Sequence, residues 1–230
     1  MSTVKIAAIF DVDGTLLTGA SLERIFINFL IRRGELKSSD IGRFISGAFE
    51  GIPWVANKNY LRGKDQQKLA MLARVCLDEE ISPRLLPAAL TRLRWHQASG
   101  HQVALLSGTL DLLLAPLADR LGVRAVSATN LETVAQQVTG RIVGGHPFGE
   151  GKVDRLRELG RRFAFDPKSS FAYGNHYTDR HFLEKVGHPV AANPDRQLRQ
   201  LAHMRGWLIE DFTTPIKPRF NLEMARGVSA

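Results

Sequence analysis

The sequence has a single cysteine, Cys76, in 230 residues. An intrachain disulfide is therefore excluded, and the usage suits a reducing compartment, here expected to be the cytoplasm. No apolar run approaches the ~20 residues that a helix needs to span a bilayer. A secretory signal is not expected, because the apolar run Ile6 to Phe10 is short and two aspartates follow it closely. Internal repeats and low-complexity tracts are absent. A concentrated basic face is missing as well. The formal charge is +8, yet cations and acids nearly balance between Glu23 and Glu80. The surplus between Lys152 and Arg205 is interleaved with acids and apolar residues. Charge dispersed in this way fits solvated helix faces first, attraction of anionic substrates second, and a nucleic-acid or lipid surface third.

What is present is an ordinary soluble composition, 44% hydrophobic and 23% charged, long enough for one large domain or one domain with an insertion. Val4 to Phe10 is a continuous, partly β-branched apolar run and reads as a buried parallel strand. From Ser21 the period changes. Leu22, Ile25, Phe26, Phe29 and Leu30 form a core-facing helical stripe that Gly34 ends. Ile41, Phe44, Ile45, Ala48 and Phe49 form a second stripe. Leu69, Leu72, Val75 and Cys76 form a third, with Asp65 as its N-cap. Strand and helix patterns then alternate: helix 87–99, strand 102–106, helix 110–121, strand 123–128, a small hairpin over 133–143 around Gly140, and a helix opened by "GEGK". The alternation continues with strand 171–173, helix 179–186, strand 189–192, helix 195–205 and a last strand at 207–209. Such alternation predicts a doubly wound α/β fold with a parallel sheet covered on both faces. The expected organisation is a core of residues 1–18 and 83–215, a helical cap of residues 19–82, and a C-terminal tail of residues 216–230 that frays after Pro218.

In sheets of this kind the chemistry gathers at the carboxyl ends of the strands. The first strand ends in Asp11, Val12, Asp13, Gly14 and Thr15. Alone, two aspartates there read as solvated turn acids and a helix cap. A second strand ends in Ser107, Gly108 and Thr109, a hydroxyl and a flexible amide that suit an anion or simply cap a helix. Lys152, in "GEGK", reads alone as a surface lysine. A fourth strand ends in Gly174 and Asn175, with Asp179 four residues on. Together the four ends supply a carboxylate, a second acid two residues away, an anion-binding hydroxyl, a lysine and a metal corner, which is the inventory of a phosphoryl-transfer site.

On "DVDGTL", "LLSGT", "GEGK" and the "GNHYTD…VGHPVAANPD" region, in that order and spacing, the chain resembles the haloacid dehalogenase-like phosphatases. Within them it resembles the branch of phosphoserine phosphatase, which has a helical cap inserted after the first motif. The "VAANPDRQLRQLAHMRGW" stretch is similar to bacterial members, some of which act on lipid phosphates. The resemblance implies a Mg²⁺-dependent phosphomonoesterase with a small phosphorylated substrate. Asp11 would be the nucleophile, Asp13 the acid and base, and Ser107 and Gly108 the phosphoryl holders. Lys152 would neutralise charge, and Asp11, Asp13, Asn175 and Asp179 would surround the metal. A nucleic-acid partner is not expected; peripheral contact with phospholipid is a further expectation. The sequence does not reveal an oligomeric state.

Two departures matter. The family commonly has aspartate where this chain has Asn175. A neutral carbonyl still suits Mg²⁺ but gives up a charge. The leading reading is an active enzyme with weaker metal binding. A silent phosphate-binding pseudophosphatase is the alternative, and recruitment of His176 for a softer metal ranks last. His181 and His188 are assigned no chemical role. The second departure is Ala20, where phosphoserine phosphatases carry a glutamate for the substrate's ammonium. Free phosphoserine is therefore disfavoured. The cap aromatics Phe44, Phe49 and Trp54 read as cap core, one or two of them lining a site for an apolar leaving group.

Overall fold

In a computed structural model of the chain, residues 5–49 and 56–214 are described. Seven strands form one sheet in the order β4-β3-β2-β1-β5-β6-β7. These are β1 (Ala7–Phe10), β2 (Gln102–Leu110), β3 (Ala125–Val134), β4 (Gln137–Val143), β5 (Phe171–Gly174), β6 (His188–Ala192) and β7 (Leu208–Glu210). All neighbours are parallel except β3 and β4, which form an antiparallel hairpin. Three helices among the described residues follow β1: α1 (Leu22–Arg32), α2 (Ser38–Phe49) and α3 (Gln66–Cys76). The core helices are α4 (Pro87–Ala98), α5 (Asp111–Leu121), α6 (Gly151–Phe163), α7 (Arg180–Leu183) and α8 (Arg196–Arg205).

The period-2 pattern of β1 divides the core. Ala8 and Phe10 face one layer, with Leu93 of α4 and Leu113 and Leu117 of α5. Ala7 and Ile9 face the other, with Leu156 of α6, Phe182 of α7 and Leu198 of α8. Both faces of β1 are sealed, which is why its sequence is continuously apolar. The chain winds outward from β1 in both directions, through β2 and β3 on one side and β5, β6 and β7 on the other. The crevice at the carboxyl end of β1 is thus the switch point where such folds bind ligands.

The helical cap follows from local signals. Ser21 Oγ accepts from Arg24 N at 3.3 Å, and Asp65 Oδ1 accepts from Lys68 N at 2.7 Å, so both helix starts are capped by their own sequence. All five apolar residues of the α1 stripe are buried. The second stripe behaves differently. Ile41 and Ile45 are 42% and 52% exposed, and Ile41 lines a cavity instead of packing wholly inward. Phe44 packs edge-on against Tyr60. The side chains of Ala48 and Phe49, the whole of Trp54 and the tail 216–230 lie outside the described residues.

Two boundaries differ from the sequence reading. Strand β2 runs on to Leu110, with a register shift against β3 between Leu106 and Leu110, so Ser107 to Thr109 belong to an irregular strand end. The hairpin is longer than expected and turns at Ala135 and Gln136, both at positive φ, not at Gly140. Gly140 lies within β4, where a Cβ would come 2.7 Å from Asn59 Oδ1. Its absent side chain lets the hairpin approach the cap, and backbone bonds join the two. Gly63 N donates to Val138 O at 2.7 Å, Val138 N to Lys64 O at 2.9 Å and Gln66 N to Gln136 O at 2.9 Å.

Candidate active site

Asp11 follows directly after β1 and is 5% exposed; Lys152, in the first turn of α6, is 4% exposed, and Asp179, in the turn after β5, 2%. Lys152 Nζ donates to Asp11 Oδ1 at 2.6 Å and to Asp179 Oδ1 at 2.7 Å. One ammonium thus bridges two buried carboxylates contributed by separate strand ends, and it lies 5.1 Å from the ring centroid of Phe182. Burial pushes the Asp11 carboxyl up to about 7, with Lys152 pulling against the rise and Asp179 adding to it. Lys152 is held well above the ordinary lysine range, its burial outweighed by the two carboxylates.

Asp13 Oδ1 accepts from the first amide of α1, Leu22 N, at 2.8 Å. Burial pushes its carboxyl up to about 6, the Leu22 bond and Lys152 opposing. Gly14 separates Asp13 from Thr15 at φ +82°, and a Cβ there would come 2.0 Å from Asn175 Nδ2. A glycine is therefore required on both counts, the positive φ and the close approach. Thr15 Oγ1 makes a long 3.3 Å bond to Asp11 Oδ2. At the end of β2, Ser107 Oγ accepts from Thr109 N at 3.2 Å, which leaves the serine hydroxyl hydrogen available to an anion. Thr109 Oγ1 is buried without a partner among the described residues.

These side chains line one cavity of about 900 Å³ beneath the cap, together with Asn175. The structure therefore brings together every residue that the sequence reading selected: Asp11, Asp13, Ser107, Gly108, Lys152, Asn175 and Asp179. Asp179 is the most committed of them. Its Oδ1 holds Lys152, and its Oδ2 accepts from Asn175 N and His176 N, both at 3.1 Å. Three of the roughly four acceptor positions of its carboxylate are thus taken by protein donors.

The fit to Mg²⁺ can be tested on the donor set. No group of three His, Cys, Asp or Glu side chains among the described residues is arranged to hold a metal. The oxygen donors on the cavity wall include the Asp11 carboxylate, whose Oδ2 has only the long Thr15 contact, and the side chains of Asp13 and Asn175. Hard, partly neutral oxygen donors fit a Mg²⁺ that retains several waters.

Two residues of the cavity, Glu23 and His146, were missed by sequence reasoning. Glu23 of α1 reaches the cavity, with both carboxylate oxygens 2.7 Å from Lys58 Nζ and one 2.6 Å from Tyr60 Oη. It lies three residues beyond Ala20, so a carboxylate does enter the cavity, from a neighbouring position of the chain. His146, between the hairpin and α6, also lines the cavity. Burial chiefly, with Lys58 and Lys152 adding, lowers its pKa, and Glu23 opposes. Glu23 and His146 carry no motif and become visible only with the cap in place.

The sequence matches the haloacid dehalogenase-like hydrolase family over residues 8–184. The chain is 32% identical over 217 residues to phosphoserine phosphatase SerB1 of Mycobacterium tuberculosis, covering 90% of this chain and 70% of that protein. It resembles the solved structure of a Bordetella pertussis protein of unknown function with TM-score 0.78 and 28% identity, covering 91% and 100% of the two chains. A phosphoserine phosphatase, solved as an analogue of a phospho-aspartyl intermediate, shares the fold with TM-score 0.57 at 18% identity over 86% and 91% of the chains. The chain belongs to the haloacid dehalogenase-like hydrolases, as a phosphatase of the branch that resembles phosphoserine phosphatase. Among the described residues no helix is long and apolar enough to cross a membrane.

Proposed function

We propose that the protein is a Mg²⁺-dependent phosphomonoesterase that works through an aspartyl phosphate on Asp11. The supporting observation is the buried Asp11–Lys152–Asp179 bridge at the floor of a capped cavity that also holds Asp13 and Ser107. A carboxylate and a phosphate dianion repel each other, so a nucleophilic Asp11 needs fixed positive charge beside it. Lys152 supplies one such charge with no freedom to reorient. Ser107 Oγ and the Gly108 amide hold phosphoryl oxygens. An Asp11 oxygen attacks phosphorus as the ester oxygen leaves, and Asp13, with its carboxyl raised to about 6, donates the proton that the leaving alcohol needs. The resulting Asp13 carboxylate takes a proton from water as that water attacks the aspartyl phosphate, which releases phosphate and regenerates Asp11. A Mg²⁺ ion beside Asp11 and Asn175 would supply further positive charge for the phosphoryl oxygens.

In this reading residues 19–82 act as a cap over the core formed by 1–18 and 83–215, and the substrate is a small phosphorylated metabolite or a lipid phosphate. The single buried Cys76 supports a cytoplasmic location. No observation favours a silent phosphate-binding protein, because nucleophile, acid and lysine are all in place. The test is phosphate release from p-nitrophenyl phosphate with Mg²⁺, with chelator, and with Asp11→Asn. Turnover is expected only in the first case. Turnover by a folded Asp11→Asn, purified free of other phosphatases, overturns the assignment.

A further inference from the structure

His146 is positioned by a chain of two hydrogen bonds whose directions can be worked out. Thr129 Oγ1, fully buried on β3, lies 2.7 Å from the Gly108 carbonyl oxygen and 2.7 Å from His146 Nδ1. A carbonyl oxygen only accepts, so the single hydroxyl hydrogen of Thr129 goes to Gly108 O. The contact to His146 must then run the other way, with Nδ1–H donating to Thr129 Oγ1. In a neutral imidazole this leaves Nε2 as a bare acceptor. The edge of the ring lies over Gly108, where a Cβ would come 3.2 Å from Cε1 and 3.4 Å from Nε2. Nε2 therefore lies beside the backbone that holds the phosphoryl group in the reading above.

A phosphoryl oxygen is itself an acceptor and gains nothing from this lone pair. Donors for it are already present in Ser107, the Gly108 amide and Lys152. The carboxylate of Glu23 is engaged by Lys58 and Tyr60, whereas His146 Nε2 is an acceptor with no hydrogen-bond partner among the described residues. The cap also contributes apolar walls, Ile27, Ile31, Leu36, Ile41 and Phe44, beside the polar Arg24 and Asn57.

Resting on the phosphomonoesterase reading, we propose that His146 recognises the leaving group. Its Nε2 accepts a hydrogen bond from an amine or hydroxyl carried near the scissile oxygen, while the apolar remainder of the alcohol packs under the cap. Thr129 is a positioning residue that fixes the imidazole tautomer. The substrate class is thus a phosphate monoester of an amino alcohol or a diol, in preference to a plain alkyl phosphate.

The experiment compares two matched pairs in the full chain with Mg²⁺: phosphoethanolamine against ethyl phosphate, and glycerol 1-phosphate against propyl phosphate. An ester that turns over too slowly is measured as a competitor of p-nitrophenyl phosphate, and the ratio of inhibition constants is used instead. Wild type is expected to favour the donor-bearing member of at least one pair by about tenfold, the worth of one hydrogen bond. The pair that shows it distinguishes amine from hydroxyl. His146→Phe should bring that ratio to within about twofold of one. Thr129→Val, nearly isosteric, should give an intermediate ratio because Nδ1 loses its acceptor. Should His146→Phe fail to fold by circular dichroism, His146→Gln, which keeps an acceptor, should retain part of the preference. A wild-type ratio near one in both pairs overturns the proposal, as does a ratio unchanged in the variants. An equal fall for both members of a pair would place His146 on the phosphoryl group and overturn it as well. If wild type releases no phosphate from p-nitrophenyl phosphate, the phosphomonoesterase reading itself fails, which is a different result from a lost preference.

Discussion

Replacing Lys152 by methionine removes one cation from between two buried carboxylates while keeping a side chain of similar length. Asp11 and Asp179 are each 5% or less exposed, and in wild type Lys152 Nζ bonds both. Removing one partner of a buried ion pair costs about 3–5 kcal/mol when the remaining charge cannot neutralise. Here it can. A carboxyl with its pKa raised above the unfolded value binds a proton in the folded state that the unfolded chain has already released. The folded state then holds more protons, and stability falls as pH rises, by about 1.4 kcal/mol per pH unit per carboxyl. Wild type already carries this behaviour at Asp11, raised to about 7. Lys152→Met removes the cation that opposes this rise, so in the variant the slope continues above pH 7, where that of wild type levels off. The stability gap between variant and wild type should therefore be smallest below pH 7 and wider by about 1 kcal/mol at pH 8. Urea unfolding at several pH values, followed by circular dichroism, measures the gap. Turnover of p-nitrophenyl phosphate should fall by at least about a thousandfold, since a buried, preorganised charge is lost. A gap that stays constant with pH, or a variant as stable as wild type at pH 8, would refute the claim that Lys152 offsets two buried charges.

Asp13→Ala should lose most turnover and about 1 kcal/mol of stability, because Leu22 N loses its acceptor at the start of α1. Asp13→Asn should recover the stability and not the turnover, and thermal melts alongside kinetics separate the two. Asn175→Asp should lower the Mg²⁺ concentration needed for half-maximal activity by roughly 10–100-fold. A Mg²⁺-dependent rise in melting temperature should shift in parallel, and an unchanged Mg²⁺ dependence would show that Asn175 is not a ligand. His96 is buried between His101 Nδ1 and Tyr173 Oη, both at 2.8 Å, and burial lowers its pKa to about 3. The unfolded chain takes up a proton near pH 6.5 that the folded one refuses, so stability is complete above that pH and is lost on acidification, by about 2 kcal/mol at pH 5. In His96→Gln that part of the acid slope should vanish; parallel slopes would exclude His96 as its source.

Much of the site was legible because strand ends are local. An apolar run that stops at Asp11, or a Gly–Asn turn after Phe171 to Tyr173, announces both the strand and what it presents. The α/β alternation then places those ends along one edge of the sheet. The helix caps Ser21 and Asp65 were legible for the same reason, since donor and acceptor are three residues apart. Less legible was α2. Its stripe has helical period, but Ile41 lines a cavity and Ile45 is exposed, and periodicity cannot distinguish a core from the rim of a cavity. Gly140 misled as a turn signal because its glycine serves contact with Asn59 in the cap.

The sequence by itself determined the fold class, with helices inserted after the first strand, and selected Asp11, Asp13, Ser107, Lys152, Asn175 and Asp179 as the candidates that the structure brings to one cavity. Each belongs to a short segment whose composition and period carry their own meaning. Only the tertiary structure decided how that roster is wired. Lys152 meets Asp11 across 141 residues, Lys58 meets Glu23 across 35, and the hairpin is bonded to the cap through backbone groups that any sequence would have. His146 acquires its tautomer from Thr129, and Thr129 has a direction to give because the Gly108 carbonyl fixes its hydroxyl. Local propensity encodes elements, whereas charge compensation and hydrogen-bond direction depend on which atoms the topology brings within 3 Å of one another.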